Sequence, residues 1–182
     1  MKRNLLFAAA LMLSLFANNV FAQKSSGFTD VSGTNFLNAG IGLGSYGLSG
    51  TGGLPLTASF EHGFSKNISA GVEAGLIQRK FAIDWKYTYL VFGARGSYHL
   101  NEALKIASSQ LDVYGGAGLF YRHFKVKYND HTEDEFDFKS SGGDVVFELH
   151  AGARYMFSEK VGAYAELGYG ISPLKLGVSL KF

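Results

Sequence analysis

Eight stretches of the chain alternate apolar and polar residues with a period of two. That period belongs to an extended strand with one apolar face. The segments run near 36–44, 54–62, 68–79, 87–100, 110–122, 145–157, 161–171 and 173–182. The third sets Ile68, Ala70, Val72, Ala74 and Leu76 against Ser69, Gly71, Glu73 and Gly75. The sixth sets Phe147, Leu149, Ala151, Ala153 and Tyr155 against Glu148, His150, Gly152 and Arg154. The last, PLKLGVSLKF, sets Leu174, Leu176, Val178, Leu180 and Phe182 against Lys175, Gly177, Ser179 and Lys181. It ends on an aromatic ring, where most chains fray.

The two faces differ in a telling way. The apolar face continues through all eight segments with almost no charge, whereas the other mixes glycines with charges of both signs. A closed barrel in a bilayer wants apolar residues outside and polar residues inside. Closure also satisfies every backbone hydrogen bond, which lipid demands. Segments of this length fit tilted membrane strands of about 9–11 residues. The pattern therefore predicts an all-β fold over 36–182: an eight-stranded antiparallel up-and-down transmembrane β-barrel. The competing arrangement is a soluble lipocalin-like barrel, whose apolar face would point inward at a ligand.

The connections fall into two sets. Those at 63–67, 101–109 and 158–160 are mostly short, and those at 47–53, 80–86 and 123–144 are mostly longer. Bacterial barrels have short periplasmic turns and long outer loops, so the second set is placed outside. The 101–109 turn is longer than that rule favours, and the 171–173 outer loop is very short. Tyr98, Tyr155, Phe157 and Phe182 cluster at the lower strand ends, and Tyr46, Phe81, Tyr121 and Tyr169 at the upper ones, as interfacial girdles would.

Composition refines the compartment. Residues 1–22 begin with Lys2 and Arg3, continue through an apolar run from Leu5 to Phe16, and offer Val20 and Ala22 before a cut ahead of Gln23. This predicts a secretory signal peptide at 1–22, then a short polar segment at 23–35. Removing those 22 of 182 residues leaves 160, enough for one domain. Lys2 and Arg3 are two of the 17 basic residues, so 15 remain against 15 acidic ones, and bulk charge gives nucleic acid no hold. The absence of Cys excludes disulfides and a lipoprotein anchor. The 24 Gly, 16 Phe and 10 Tyr against 2 Pro suit strands and disfavour disorder.

On strand number, pattern and terminal aromatic, 36–182 resembles the small eight-stranded outer-membrane barrels of the OmpA transmembrane-domain and OmpX type. The resemblance implies a monomer integral to the outer membrane of a Gram-negative bacterium, surrounded by its lipids. It also implies that Leu176, Val178, Leu180 and Phe182 form the signal read by the barrel-assembly machinery. Unlike OmpA itself, the chain stops at Phe182, so no peptidoglycan-binding domain is expected.

Candidate chemistry concentrates on the polar face. Glu61, Glu73, Asp112, Glu148 and Glu166, with His150, would meet Arg95, Arg154, Lys175 and Lys181 across a narrow lumen. Eight strands leave an interior filled by side chains. A paired structural network is the reading preferred over a gated ion path, because buried charges are expensive unless paired. GLGSYG has GxGxxG spacing at Gly42, Gly44 and Gly47 but lacks the helix that a dinucleotide site needs. No outward His stands beside an outward Ser, so no catalytic residue, cofactor or metal ligand is assigned.

The 123–144 connection reads HFKVKYNDHTEDEFDFKSSGGD, two alternating arms around a turn. It predicts a hairpin that carries strands five and six outward and presents Tyr128, Phe136 and Phe138 to a surface protein partner. Its acidic tip, Asp130 to Asp137, is read as a hydrated loop, with divalent-cation binding as the alternative. The expected function is a non-enzymatic structural or surface-interaction, adhesion-like role. A narrow pore and a lipid-head-group-modifying enzyme are the alternatives.

Overall fold

The computed structural model describes residues 29–45, 51–81, 85–128 and 139–182. The signal peptide expected at 1–22 lies outside the described residues, as do Phe136, Phe138 and the acidic tip. Tyr128 is described only as the last residue of its strand.

The alternating segments form eight strands: β1 (Asn35–Leu43), β2 (Leu56–Ser65), β3 (Ile68–Phe81), β4 (Trp85–His99), β5 (Leu111–Tyr128), β6 (Lys139–Met156), β7 (Val161–Tyr169) and β8 (Leu174–Lys181). Each pairs antiparallel with its sequence neighbours, and β8 pairs with β1 to close the barrel. No helix of the described residues is long and apolar enough to cross a membrane; this chain crosses with strands. Closure leaves no sheet edge within the bilayer.

Register puts the apolar set outside. Val72, Leu119, Phe147, Leu167 and Val178 are all more than half exposed, while Glu73, Glu148, Glu166 and Lys175 on the same strands are almost fully buried. A one-residue slip would reverse this, which is why the register is so strongly specified. β5 and β6 have 18 residues each, well beyond the roughly 11 that span a bilayer, and remain paired out to Lys127↔Lys139.

The lumen is layered, and β4 shows the order. From the outer end inward it presents Val91, Arg95 and His99, all buried. Val91 belongs to an apolar plug with Ile77, Phe120 and Ile171. Ile171 comes from the turn after β7, which dips into the mouth. Gly170 begins that dip at φ 134, a backbone that other residues rarely adopt. Gly75, on β3, leaves the space that Ile171 fills. Ser172 ties the turn down by donating to Gly44 O at 2.9 Å. The periplasmic mouth is covered by the chain's own lead-in. Thr29 donates to Ser108 O at 2.9 Å, Val31 N–H to Lys66 O at 3.2 Å and Gly33 N–H to Gly63 O at 2.8 Å. Val31 is fully buried beneath Gly63, which has no side chain to obstruct it. The sequence reading gave this polar stretch no such place.

Candidate functional site

The site is the charged middle of the lumen. Arg95, from β4, reaches Glu166 Oε2 at 2.7 Å through Nη2 and Glu61 Oε1 at 3.2 Å through Nε, and it also pairs with Glu73. Lys175, from β8, holds Glu73 Oε1 at 2.8 Å and Glu148 Oε1 at 3.0 Å, and also pairs with Glu166. Two cations therefore organise four carboxylates drawn from β2, β3, β6 and β7. Glu73 and Glu166 touch both cations, so the network is continuous across the barrel. Such burial is tolerable only because each charge has partners.

A second cluster lies below. Asp112 accepts from Arg154 Nη1 at 2.6 Å and pairs with His99 Nδ1 at 2.7 Å. The Arg154 guanidinium sits 3.9 Å from the Phe36 ring centroid and 4.9 Å from that of Tyr114, so two aromatic faces sandwich a desolvated cation. Tyr114 hydroxyl donates to Glu166 Oε2 at 3.2 Å and links the two clusters. Room for that ring comes from Gly152, where an added Cβ would lie 2.8 Å from the Tyr114 ring.

The clusters contain two serine–histidine–carboxylate chains. Ser69 Oγ is 3.0 Å from His99 Nε2, whose Nδ1 faces Asp112; Ser97 Oγ is 3.0 Å from His150 Nε2, whose Nδ1 lies 3.6 Å from Glu148. A nucleophilic triad has the same order of groups. Here, however, Ser69 already donates to Glu61 Oε2 at 2.8 Å, so its proton is committed away from His99. All six residues are buried between the two seals. Glu148, His150 and Glu166 also converge closely enough to hold a metal ion. Lys175 and Arg95 pair with Glu148 Oε1 and with both Glu166 oxygens, while Glu148 Oε2 and His150 Nδ1, 3.6 Å apart, make no hydrogen bond among the described residues.

Of the ten residues expected in the network, nine are brought into these two clusters. Lys181 stands apart: it is half-buried at the periplasmic rim, six residues below Lys175, and belongs to none of the ion pairs of the described residues. The reading missed His99, Ser69, Ser97 and Tyr114, although all four sit on the polar face by parity. Neutral residues carried no charge signal. Leu176, Val178 and Phe182 face outward at the end of the chain. Leu180 is half-buried opposite Leu37.

A closed eight-stranded barrel with an apolar exterior and a charged, side-chain-filled interior is an integral outer-membrane protein. The chain belongs to the outer membrane protein beta-barrel domain family, whose sequence model matches residues 7–180. No curated protein matches the chain in sequence. Among solved structures it is similar to the N-terminal β-barrel domain of Pseudomonas aeruginosa OprF: TM-score 0.57, 16% identity, covering 83% of this chain and 98% of that one. It is also similar to the attachment invasion locus protein Ail of Yersinia pestis, with TM-score 0.50 and 14% identity over 83% of this chain and 99% of that one. For Neisserial surface protein A the TM-score is 0.50 and the identity 15%, over 82% and 94% of the two chains. At these identities the likeness is one of fold.

Proposed function

We propose that this chain is a non-enzymatic, non-conducting barrel whose function is carried by the part of β5 and β6 outside the membrane, as an element that binds surface proteins. The observation that carries this reading is one of register. β6 pairs with β5 from Lys139 onward, but with β7 only from Leu149. Among the described residues, the outward stretch Lys139–Asp144, above the level where Val145 meets Tyr121, therefore has a neighbour on one side only. An unpaired edge presents N–H and C=O groups to which an extended partner strand can add.

The sequence of the edge supports the same reading. Ser140, Ser141, Gly142 and Gly143 are small, and the stretch contains no proline to block pairing. Ail is named for attachment and invasion, and Neisserial surface protein A for its place at the surface; those names favour a surface role here. The two lumen seals and the continuous charge network between them argue against a pore. The commitment of Ser69 to Glu61 argues against hydrolytic chemistry at the His99 chain, and the burial of Ser97, His150 and Glu148 between the seals argues against it at the other.

The test is to replace residues 130–138 with an Asn-Gly turn and compare adhesion of expressing cells to immobilised host and envelope proteins. Adhesion should fall while the barrel remains heat-modifiable on a gel. Undiminished adhesion to every surface would remove the hairpin as the interaction site.

A further inference from the structure

Among the described residues, the charges in the middle of the lumen do not balance. Glu61, Glu73, Glu148 and Glu166 carry four negative charges, and Arg95 and Lys175 carry two positive ones. Below them Asp112 and Arg154 cancel. A proton on His99, which lies between Asp112 and Ser69, reduces the excess to one and does not remove it. All these groups are buried. Uncompensated charge in such a place is expensive, so the lumen calls for a further cation.

Two orphaned atoms mark where it would sit. Glu148 Oε2 and His150 Nδ1 have no hydrogen-bond partner among the described residues, and they lie 3.6 Å apart. That gap is too wide for the hydrogen bond an imidazolium would make. It matches two ligands of one four-coordinate ion, which stand about 3.4 Å apart when each bond is about 2.1 Å long. His150 Nε2 lies 3.0 Å from Ser97 Oγ, the kind of contact through which a metal-bound imidazole donates its other N–H. That tautomer leaves a lone pair on Nδ1, facing a carboxylate. Glu148, His150 and Glu166 each offer one donor atom within 4.8 Å of the others. Lys175 holds Glu148 through Oε1, at 3.0 Å, and leaves Oε2 to the ion. Each carboxylate oxygen has two lone pairs, so Glu166 can ligate while keeping Arg95 and Lys175. Glycines of β5 keep the place clear: a Cβ at Gly118 would lie 3.0 Å from Glu148 Oε2, and one at Gly116 2.6 Å from His150 Nε2.

We propose that Glu148, His150 and Glu166 bind a divalent transition-metal ion of the zinc type, as a structural centre inside the lumen. An imidazole donor selects such an ion over calcium or magnesium, which take oxygen ligands. Because both mouths are sealed, the ion must enter while the barrel forms, and a chelator cannot reach it afterwards. This inference does not rest on the hairpin reading, and its readout is metal content, not adhesion.

The experiment refolds the untagged chain into phosphatidylcholine vesicles in the presence of zinc ions, dialyses the vesicles against EDTA and counts the metal that remains by mass spectrometry. The parent should keep about one ion per chain, as a site coupled to folding does. Parent refolded in EDTA, given zinc and dialysed again should keep none. His150→Phe keeps a ring but removes the ligand; it and Glu148→Gln should each keep at most about one tenth as much as the parent. X-ray absorption at the zinc edge of the parent should show one imidazole together with oxygen ligands, and this readout decides the matter should neither variant fold. No chelator-resistant zinc in the parent would overturn the proposal and assign the charge balance to protons on His150 and the carboxylates. So would equal retention by the parent and both variants, or a zinc spectrum without imidazole, because the ion would then lie elsewhere in the barrel.

Discussion

Asn35 and Phe182 exchange a reciprocal pair of backbone hydrogen bonds: Asn35 N–H to Phe182 O at 2.7 Å, and Phe182 N–H to Asn35 O at 3.0 Å. The first residue of β1 and the last residue of the chain thereby complete the seam at the periplasmic rim. The Phe182 ring is 61% exposed and lies 6.4 Å from the Phe60 ring, on the lipid side. Its hydrogen bonds come from the backbone, so the side chain remains available for recognition before the barrel closes.

Phe182→Asp should therefore reduce assembly in cells far more than folding into detergent. The seam hydrogen bonds do not depend on the ring, whereas an assembly signal does. The check is heat-modifiable protein in outer-membrane fractions against refolding yield in detergent. Equal impairment in both would assign the ring to packing alone.

Arg95→Met should destabilise the barrel by about 3–5 kcal/mol, because Glu61, Glu73 and Glu166 all lose their shared partner. Adding Glu166→Gln should recover part of that loss by removing one orphaned charge. Urea unfolding in lipid vesicles measures both. A neutral Arg95→Met would show that the network does not hold the fold.

Arg154→Met probes the lower cluster, where the cation stacks on Phe36 and pairs with Asp112. The apolar replacement keeps contact with the two rings but leaves Asp112 with His99 as its remaining partner. The expected loss is smaller than at Arg95, about 1–3 kcal/mol, the cost of one under-satisfied buried group. A loss equal to that of Arg95→Met in the same unfolding assay would refute this ranking.

The fold was legible in the sequence because lipid and lumen impose opposite chemistries on alternate residues. Val72 beside Glu73, or Phe147 beside Glu148, leaves little choice of face. Membership of the charge network followed from that parity for nine residues. Lys181 has the right parity but the wrong height, and alternation carries no information about height. The seals were illegible for a related reason. Val31 and Ile171 lie in connections, where no period signals burial, and their positions depend on gaps left by Gly63 and Gly75 across the barrel. Ser69 and His99 became part of the site through partners on β2 and β5, relations visible only once register is known.

Planar bilayers containing the protein should show no steady conductance. Three barriers lie in series: the Ile77–Val91–Phe120–Ile171 plug, the Arg95–Lys175 network and the covering segment at Thr29–Thr34. Deleting residues through Gly33 removes only the last, so the truncated barrel should remain silent. Large stable openings in the full chain would restore the pore reading.

The last prediction isolates the β6 edge from the tip of the hairpin. If a partner adds as a strand, its hydrogen bonds go to backbone groups of Lys139–Asp144, and side-chain changes there should matter little. Ser140→Thr or Ser141→Thr keeps every backbone donor and should preserve adhesion. Proline removes a donor and its ring obstructs an approaching strand. Proline at Ser140 in one variant and at Ser141 in another samples both parities, because successive N–H groups in a strand alternate between the β5 side and the open side. The open-side substitution leaves the β5 pairing intact, so it should abolish adhesion while leaving heat-modifiability unchanged. The other breaks a ladder bond and should loosen the outer hairpin. Adhesion that survives both prolines would exclude strand addition at this edge, whatever the shortened tip had done.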